Sequence, residues 1–446
     1  MASRIHVLIC PCFVSAAKGT VRMQAPILIG ELELTEPIAD IHLPVRGDGA
    51  AYNGVQLLVR MQRIPVGYVV LAPTALDSSV ISHQVWSVLG DEINRRRSRA
   101  GLPAINELPV GGIPVEPELA DELTDRPLVT VVVCTRNRPE SALVTLRGLA
   151  DMRYTPFEVV IVDNAPDSDA TKEATQREFG ADPRIRYVRE PRPGLSCARN
   201  RGLAEASADI VAFTDDDVRV DPWWLNGIVR GFQAAPNVAC VTGLIATAEL
   251  DNAAQLYFHL REGWGASCER RVFDLAENRD ESPLYPYSAG VFGAGANFAV
   301  SRAVLKEVGG FNEALGAGTP SGGGEDLNMF MRIVLAGHRL VYEPSAVVSH
   351  VHRASLADLS RQMRAYGSGC TAALTAIIMA DARARRELPP RVISGVARML
   401  KLSSGVRDNP TLPSGLIQRE VGGFFVGPWL YLKGRRNLRR LPALQA

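Results

Sequence analysis

Apolar residues alternate or cluster in short runs over residues 27–35, 55–61 and 66–71, the spacing of strands, and residues 62–65 between the last two predict a hairpin turn region. From about Ser79 the spacing becomes helical. Val80, Ile81, Val85, Val88, Leu89 and Ile93 fall on one face, and Arg95, Arg96 and Arg97 stand at the C-terminal end, where the helix dipole favours cations. The pattern predicts a small α+β domain over residues 23–115. The proline- and glycine-rich stretch 101–126 reads as a linker.

Beyond it, strand and helix patterns alternate. Strands are expected over 128–134, 158–162, 185–188 and 209–214, and a helix over 139–151 opened by Pro139. Leu195, Ala198, Gly202, Leu203 and Ala206 share a further helical face. This order implies a parallel sheet covered by helices, in which ligands bind outside the carboxyl ends of the strands. Asp163 ends one strand, and Asp215, Asp216 and Asp217 end another. Five glycines over 316–324 precede Glu325 and Asp326, where a helix carrying Leu327, Phe330, Met331, Val334 and Leu335 begins. His350 and His352 follow a short strand over 347–349, and residues 361–386 read as a long helix.

Composition narrows the class. The 446 residues are 46% apolar and 22% charged, enough for folded cores in two or three domains. Lys and Arg number 49 against 48 Asp and Glu, so no overall field favours nucleic acid as a partner. Seven cysteines, an odd number in a long chain, suit a reducing, cytoplasmic setting better than a disulfide framework, and Cys10 and Cys12 lack the second pair that zinc would need. No apolar run approaches the roughly 20 residues of a membrane span. Residues 5–17 are too interrupted for an export signal, and residues 1–22 are expected to be an extension without a structural role. Residues 423–440 mix Phe424, Phe425, Trp429, Tyr431 and Leu432 with Lys433, Arg435, Arg436, Arg439 and Arg440. They suit either aromatic packing on the rest of the protein or a peripheral membrane contact.

The acidic runs carry the candidate chemistry. Three successive carboxylates at a strand end repel one another, and a divalent cation such as magnesium or manganese would relieve them; the bland alternative is a turn or helix cap. Glu325 and Asp326 similarly suit either a cap or a catalytic acid–base group behind a mobile glycine-rich lid. His350 suits a structural histidine or a further manganese ligand.

Taken in order, these segments resemble family 2 glycosyltransferases of the GT-A fold. The carrying residues are 131–139 (Val-Val-Val-Cys-Thr-Arg-Asn-Arg-Pro), Val162-Asp163-Asn164, Ala198-Arg199-Asn200-Arg201-Gly202 and Phe213-Thr214-Asp215-Asp216-Asp217. Gly295-Ala296-Asn297, Val308-Gly309-Gly310-Phe311, Gly324-Glu325-Asp326 and His350-Val351-His352-Arg353 follow. The resemblance covers residues 127–353, leaving 354–446 as a helical extension. It implies a mixed α/β sheet flanked by helices and transfer, with inversion, from a nucleotide-diphosphate sugar to an unidentified acceptor hydroxyl or amine.

Position by position, the resemblance implies that Thr135, Arg136, Asp163, Arg199, Asp215 and Asp216 line the nucleotide site. Asp217, with Asp215 and His350, would hold Mn2+ or Mg2+. Asp326 matches the general base, with Glu325 the neighbouring carboxylate that could take that role. Arg136 replaces an aromatic residue common in the family, and a guanidinium plane can also stack on a base. Two rivals are weighed. A sugar nucleotidyltransferase would need a glycine-rich loop after the first strand, where residues 135–138 hold none, and an inactive binding protein on the same fold would not need the acidic motifs.

Overall fold

The computed structural model describes residues 23–117, 123–261, 267–391 and 415–439. The expectations about Cys10, Cys12, the first 22 residues and Arg440 therefore lie outside the described residues. Near the start, β1 (Leu28–Glu33) runs parallel to β2 (Val55–Met61), which pairs antiparallel with β3 (Ile64–Leu71). The turn is shorter than expected. Only Gln62 and Arg63 form it, with φ of 49° and 71°, a left-handed pair that matches the twist of a two-residue hairpin and leaves Ile64 and Pro65 in the strand.

Helix α1 (Ser78–Arg99) covers the sheet with Ile81, Val85, Leu89 and Ile93, whereas Val88, expected on the same face, is 50% exposed. The linker expectation needs correction in its first half. Leu108 and Ile113 are buried in this core, and the Ile113 N–H donates to the Leu34 carbonyl at 2.8 Å. Prolines deny this stretch a period to read, but its few apolar side chains still find the core. The β2–β3 hairpin rests on the larger sheet: Arg60 pairs with Asp221 at 2.8 Å, and the Arg63 guanidinium lies 3.6 Å from the Trp223 ring centre.

The larger sheet contains β4 (Val129–Thr135), β5 (Phe157–Asn164), β6 (Ile185–Glu190), β7 (Ile210–Asp215), β8 (Val218–Val220) and β9 (Val238–Thr247). Further along come β10 (Arg271–Phe273), β11 (Asn297–Ser301) and β12 (Arg339–His350). The order is β10-β12-β9-β11-β7-β4-β5-β6, with β8 on β12. Strands β4 to β7 are parallel, but β11 runs antiparallel between β7 and β9, so the sheet is mixed, not all-parallel as strand–helix alternation alone suggests.

Alternate residues of β4 feed two cores. Val131 and Val133 face α2 (Pro139–Ala150) and α5 (Trp224–Gln233); Val132 and Cys134 face α4 (Leu195–Glu205) and α8 (Glu325–Leu335). Asn297 locks the antiparallel insertion. It accepts from the buried Trp224 indole at 2.8 Å and donates to the carbonyls of Leu244 and Ala346 at 2.9 and 2.8 Å, tying three strands and a helix together.

Besides α3 (Ala170–Phe179), α6 (Ala253–Arg261) and α7 (Arg302–Glu307), helix α9 (Leu356–Ala380) packs on α8 and α10 (Leu416–Leu438) packs on α9, with a further helical stretch over 382–391. The glycine-rich loop before α8 is braced, not a free lid. Ser368 of α9 donates to the Ser321 carbonyl at 2.8 Å, and Thr319 donates to the Gly316 carbonyl at 2.7 Å.

Gly324 closes the loop at φ 90°, and a side chain there would collide with the Gly369 carbonyl on α9. Gly324→Ala should therefore destabilise the protein by about 2–4 kcal/mol, combining a left-handed non-glycine residue with overpacking. Thermal melting would reveal it; an unchanged midpoint would mean the loop is not held by α9.

Candidate active site

Strand register brings the acidic groups to one edge. Thr135 at the end of β4 is level with Asp163 on β5, and Cys134 is level with Asp215 on β7. After Asp215 the chain turns, and β8 pairs back on β12 so that Val218 is opposite His350. That pairing carries Asp217 to His350, whose Nε2 lies 3.3 Å from the Asp217 carboxylate. One ligand-capable atom each from Asp215, Asp217 and His350 lies within 4.8 Å of the others. Two carboxylates and an imidazole fit Mn2+, and the carboxylates fit Mg2+.

Two arginines also attend the triplet, and neither was singled out as a site residue above. The chain turns at Asn137, φ 55°, and Arg138 at the start of α2 bridges Asp216 at 2.7 Å and Asp217 at 3.1 Å. Arg353 reaches Asp217 at 3.5 Å. The signal was available: a buried run of carboxylates needs cations, and both arginines sit inside the quoted motifs. Asp216 is buried and accepts from Thr135 Oγ1 at 2.6 Å as well as from Arg138, so protein donors occupy both of its oxygens. Burial still pushes its carboxyl up to about 6 against those partners. Burial also opposes ionisation of Asp217, but the His350 hydrogen bond and the charges of His350, Arg138 and Arg353 outweigh it and hold the carboxyl well below the ordinary range.

A second group joins the first through Arg199. This buried guanidinium donates to Glu325 Oε1 at 2.9 Å and the Gly295 carbonyl at 2.8 Å, and lies 3.6 Å from Asp215. Glu325 is buried at the first turn of α8; burial and the adjacent Asp326 push its carboxyl up to about 7 despite Arg199. Asp326, partly exposed, accepts from the Leu327 N–H at 2.8 Å through Oδ1. Its Oδ2 lies over Gly295, where a Cβ would approach to 2.9 Å, so the small residue makes room for Asp326 beside Arg199.

Asp163 stands apart from both groups. It is fully buried, accepts from the Tyr187 hydroxyl at 3.0 Å, and leaves Oδ1 without a protein partner; burial raises its carboxyl despite that hydrogen bond. Arg136 is exposed just beyond the end of β4. His352 lies behind His350 and meets Thr247 at 3.1 Å, and Thr247 meets His259 at 2.6 Å; burial lowers the His352 imidazole to about 3. A cleft of about 530 Å³ opens beside Asp216 and Asp217, lined also by Arg138, Ser141 and Arg353. A groove of about 690 Å³ along β6 contains none of these carboxylates.

A model of the family described as Glycosyl transferase family 2 matches residues 130–309. The chain is 33% identical over 276 residues to the pre-mycofactocin glycosyltransferase of Mycobacterium tuberculosis, a match covering 61% of this chain and 51% of that protein. It thus spans about half the length of that relative. Succinoglycan biosynthesis protein ExoM of Rhizobium meliloti is 31% identical over 254 residues, 54% of this chain and 73% of that protein. Among solved structures, a mannosyltransferase from Pyrobaculum calidifontis in complex with GDP-Man and Mn2+ superposes with a TM-score of 0.43 at 20% identity, covering 72% of this chain and 77% of that one.

Proposed function

Since the chain belongs to glycosyl transferase family 2, we propose that it transfers a sugar from a nucleotide-diphosphate donor to an acceptor hydroxyl or amine with inversion. The observation that carries this reading is the meeting of Asp215, Asp217 and His350 at the strand ends, linked through Arg199 to the acidic turn that opens α8. Asp217, Asp215 and His350 would hold Mn2+ or Mg2+, which supplies positive charge beside the departing diphosphate. Manganese in the GDP-Man complex named above belongs to that protein and sets only the choice of ion to try first.

The remaining roles fall to the chain's own residues. Asp163, with an unpaired buried oxygen, suits a donor N–H of the base, and Thr135 steadies Asp216 through its hydroxyl. Arg136, exposed just beyond the end of β4, suits stacking on the base. Arg138 and Arg353 add cationic charge where the leaving group would gather negative charge. Arg199 orients the Glu325–Asp326 turn. Asp326 takes the proton of the attacking acceptor as the new bond forms at the anomeric carbon and the bond to phosphate breaks on the opposite face. A single displacement of this kind inverts the centre.

The test is a panel of nucleotide sugars given to the purified chain with Mn2+, Mg2+ or a chelator, scored by nucleoside diphosphate release. Release from one donor in the presence of metal is expected. Pyrophosphate formed from a nucleoside triphosphate and a sugar phosphate would favour a nucleotidyltransferase. Donor binding without release under any condition would favour a binding protein on this fold.

A further inference from the structure

Helices α9 and α10 meet through their smallest residues. Gly423 and Gly427 of α10 lie against Gly367, Ser368, Thr371 and Ala372 of α9, while Gly434 further along α10 lies against Ala314. A side chain on Gly423 or Gly427 would collide with α9.

Three large apolar residues of α10 face outward. Phe425 is 77% exposed, Trp429 61% and Leu432 49%, and their spacing of four and three places them in one line along the helix. Of Phe424, Phe425, Trp429, Tyr431 and Leu432, Tyr431 packs inward and Phe424 is half-buried, while the other three are exposed. About three turns beyond Phe425 the same line reaches Arg436, flanked by Lys433, Arg435 and Arg439, all exposed, and no acidic residue occurs between Val421 and Arg439. The Lys433 ammonium lies 5.3 Å from the Trp429 ring centre. An aligned, exposed apolar stripe marks a contact surface, and its basic end selects an anionic partner. No described helix is long and apolar enough to cross a membrane.

We propose that α10 seats the protein on an anionic lipid surface, with Phe425, Trp429 and Leu432 entering the boundary between headgroups and acyl chains and Lys433, Arg435, Arg436 and Arg439 meeting lipid phosphates. The seam of small residues against α9 holds the stripe outward. This docking is independent of the catalytic reading, because none of these side chains lies among the site residues.

The experiment is flotation of the full chain with vesicles of phosphatidylcholine alone or mixed with phosphatidylglycerol, at rising salt. The wild type should float with the mixed vesicles, remain below with the neutral ones, and release as salt increases. Combining Phe425→Ser, Trp429→Ser and Leu432→Ser should weaken partition by at least about tenfold. Replacing Arg435, Arg436 and Arg439 by Gln should weaken it on the order of fivefold per residue. Both variants should melt like the wild type, since the altered side chains are exposed, and should keep their nucleotide-sugar activity in solution. The proposal fails if the wild type does not float with anionic vesicles, or if the serine variant floats as well as the wild type. It also fails if the chain is a dimer that the serine changes split while neither form floats, which would assign the stripe to a second copy.

Discussion

Asp217→Asn is expected to lower glycosyl transfer by roughly a thousandfold, the rate equivalent of about 4 kcal/mol of charge stabilisation at the leaving group. The substitution is nearly isosteric but removes the carboxylate that His350, Arg138 and Arg353 all approach. It leaves Asp215 and His350 as an incomplete ligand pair. Folding should survive, because an amide oxygen can still accept from His350 or Arg138, and Asp215 and Asp216 lose a like-charged neighbour. Nucleoside diphosphate release across a manganese titration would show a lower plateau and a weaker metal dependence, while circular dichroism would report an unchanged fold. Full activity of chelator-treated wild type would remove the metal from the reaction and this role from Asp217.

The same residues show what the chain reveals on paper and what it withholds. Asp163, the Asp215–Asp217 run and His350 were legible because each ends an apolar strand, and strand ends are where a sheet gathers its ligands. That Arg138 and Arg353 meet this run was not, although both stand in the quoted motifs. Both arginines are separated from Asp217 by long stretches of chain; the pairing of β4 with β7 brings Arg138 to it, and the pairing of β8 on β12 brings Arg353. The expectation that repulsion within the triplet calls for a metal is correspondingly weakened as an argument, since two guanidinium groups already answer part of it.

Strand β12 illustrates a different limit. Glu343, Pro344 and Ser345 interrupt its apolar pattern, so only residues 347–349 read as a strand. The break is absorbed by a register shift between Glu343 and Val347, with the buried Glu343 carboxylate accepting from Ser345 and Arg270. The lid expectation failed for a related reason. Glycines read locally as freedom, whereas Gly324 is small because the α9 backbone presses against it.

Asp326→Asn and Glu325→Gln should separate two adjacent carboxylates by what each loses. The Asp326 side chain is partly exposed and its one backbone bond, from the Leu327 N–H, can be accepted equally by an amide oxygen, so folding should hardly change. An amide cannot take the acceptor's proton. Turnover of Asp326→Asn should therefore fall by about two to four orders of magnitude, the range for loss of general-base assistance, with donor affinity little altered because Asp217 and Asp163 are untouched. Glu325→Gln instead removes the carboxylate that Arg199 meets at 2.9 Å and leaves Asp215, 3.6 Å away, and the neighbouring Asp326 to balance its charge. That should cost on the order of 1–3 kcal/mol of stability, the loss of a charged hydrogen-bond partner with other carboxylates still at hand, and lower the melting temperature before it lowers turnover per folded molecule. Calorimetric donor binding, product formation and melting on the same preparations would separate the cases. If Asp326→Asn keeps activity within about threefold while folded Glu325→Gln loses it, the base is Glu325, whose carboxyl burial and Asp326 already push up to about 7. If donor binding collapses in Asp326→Asn, that carboxylate belongs to the donor site, and the division of labour between the strand ends and α8 is overturned.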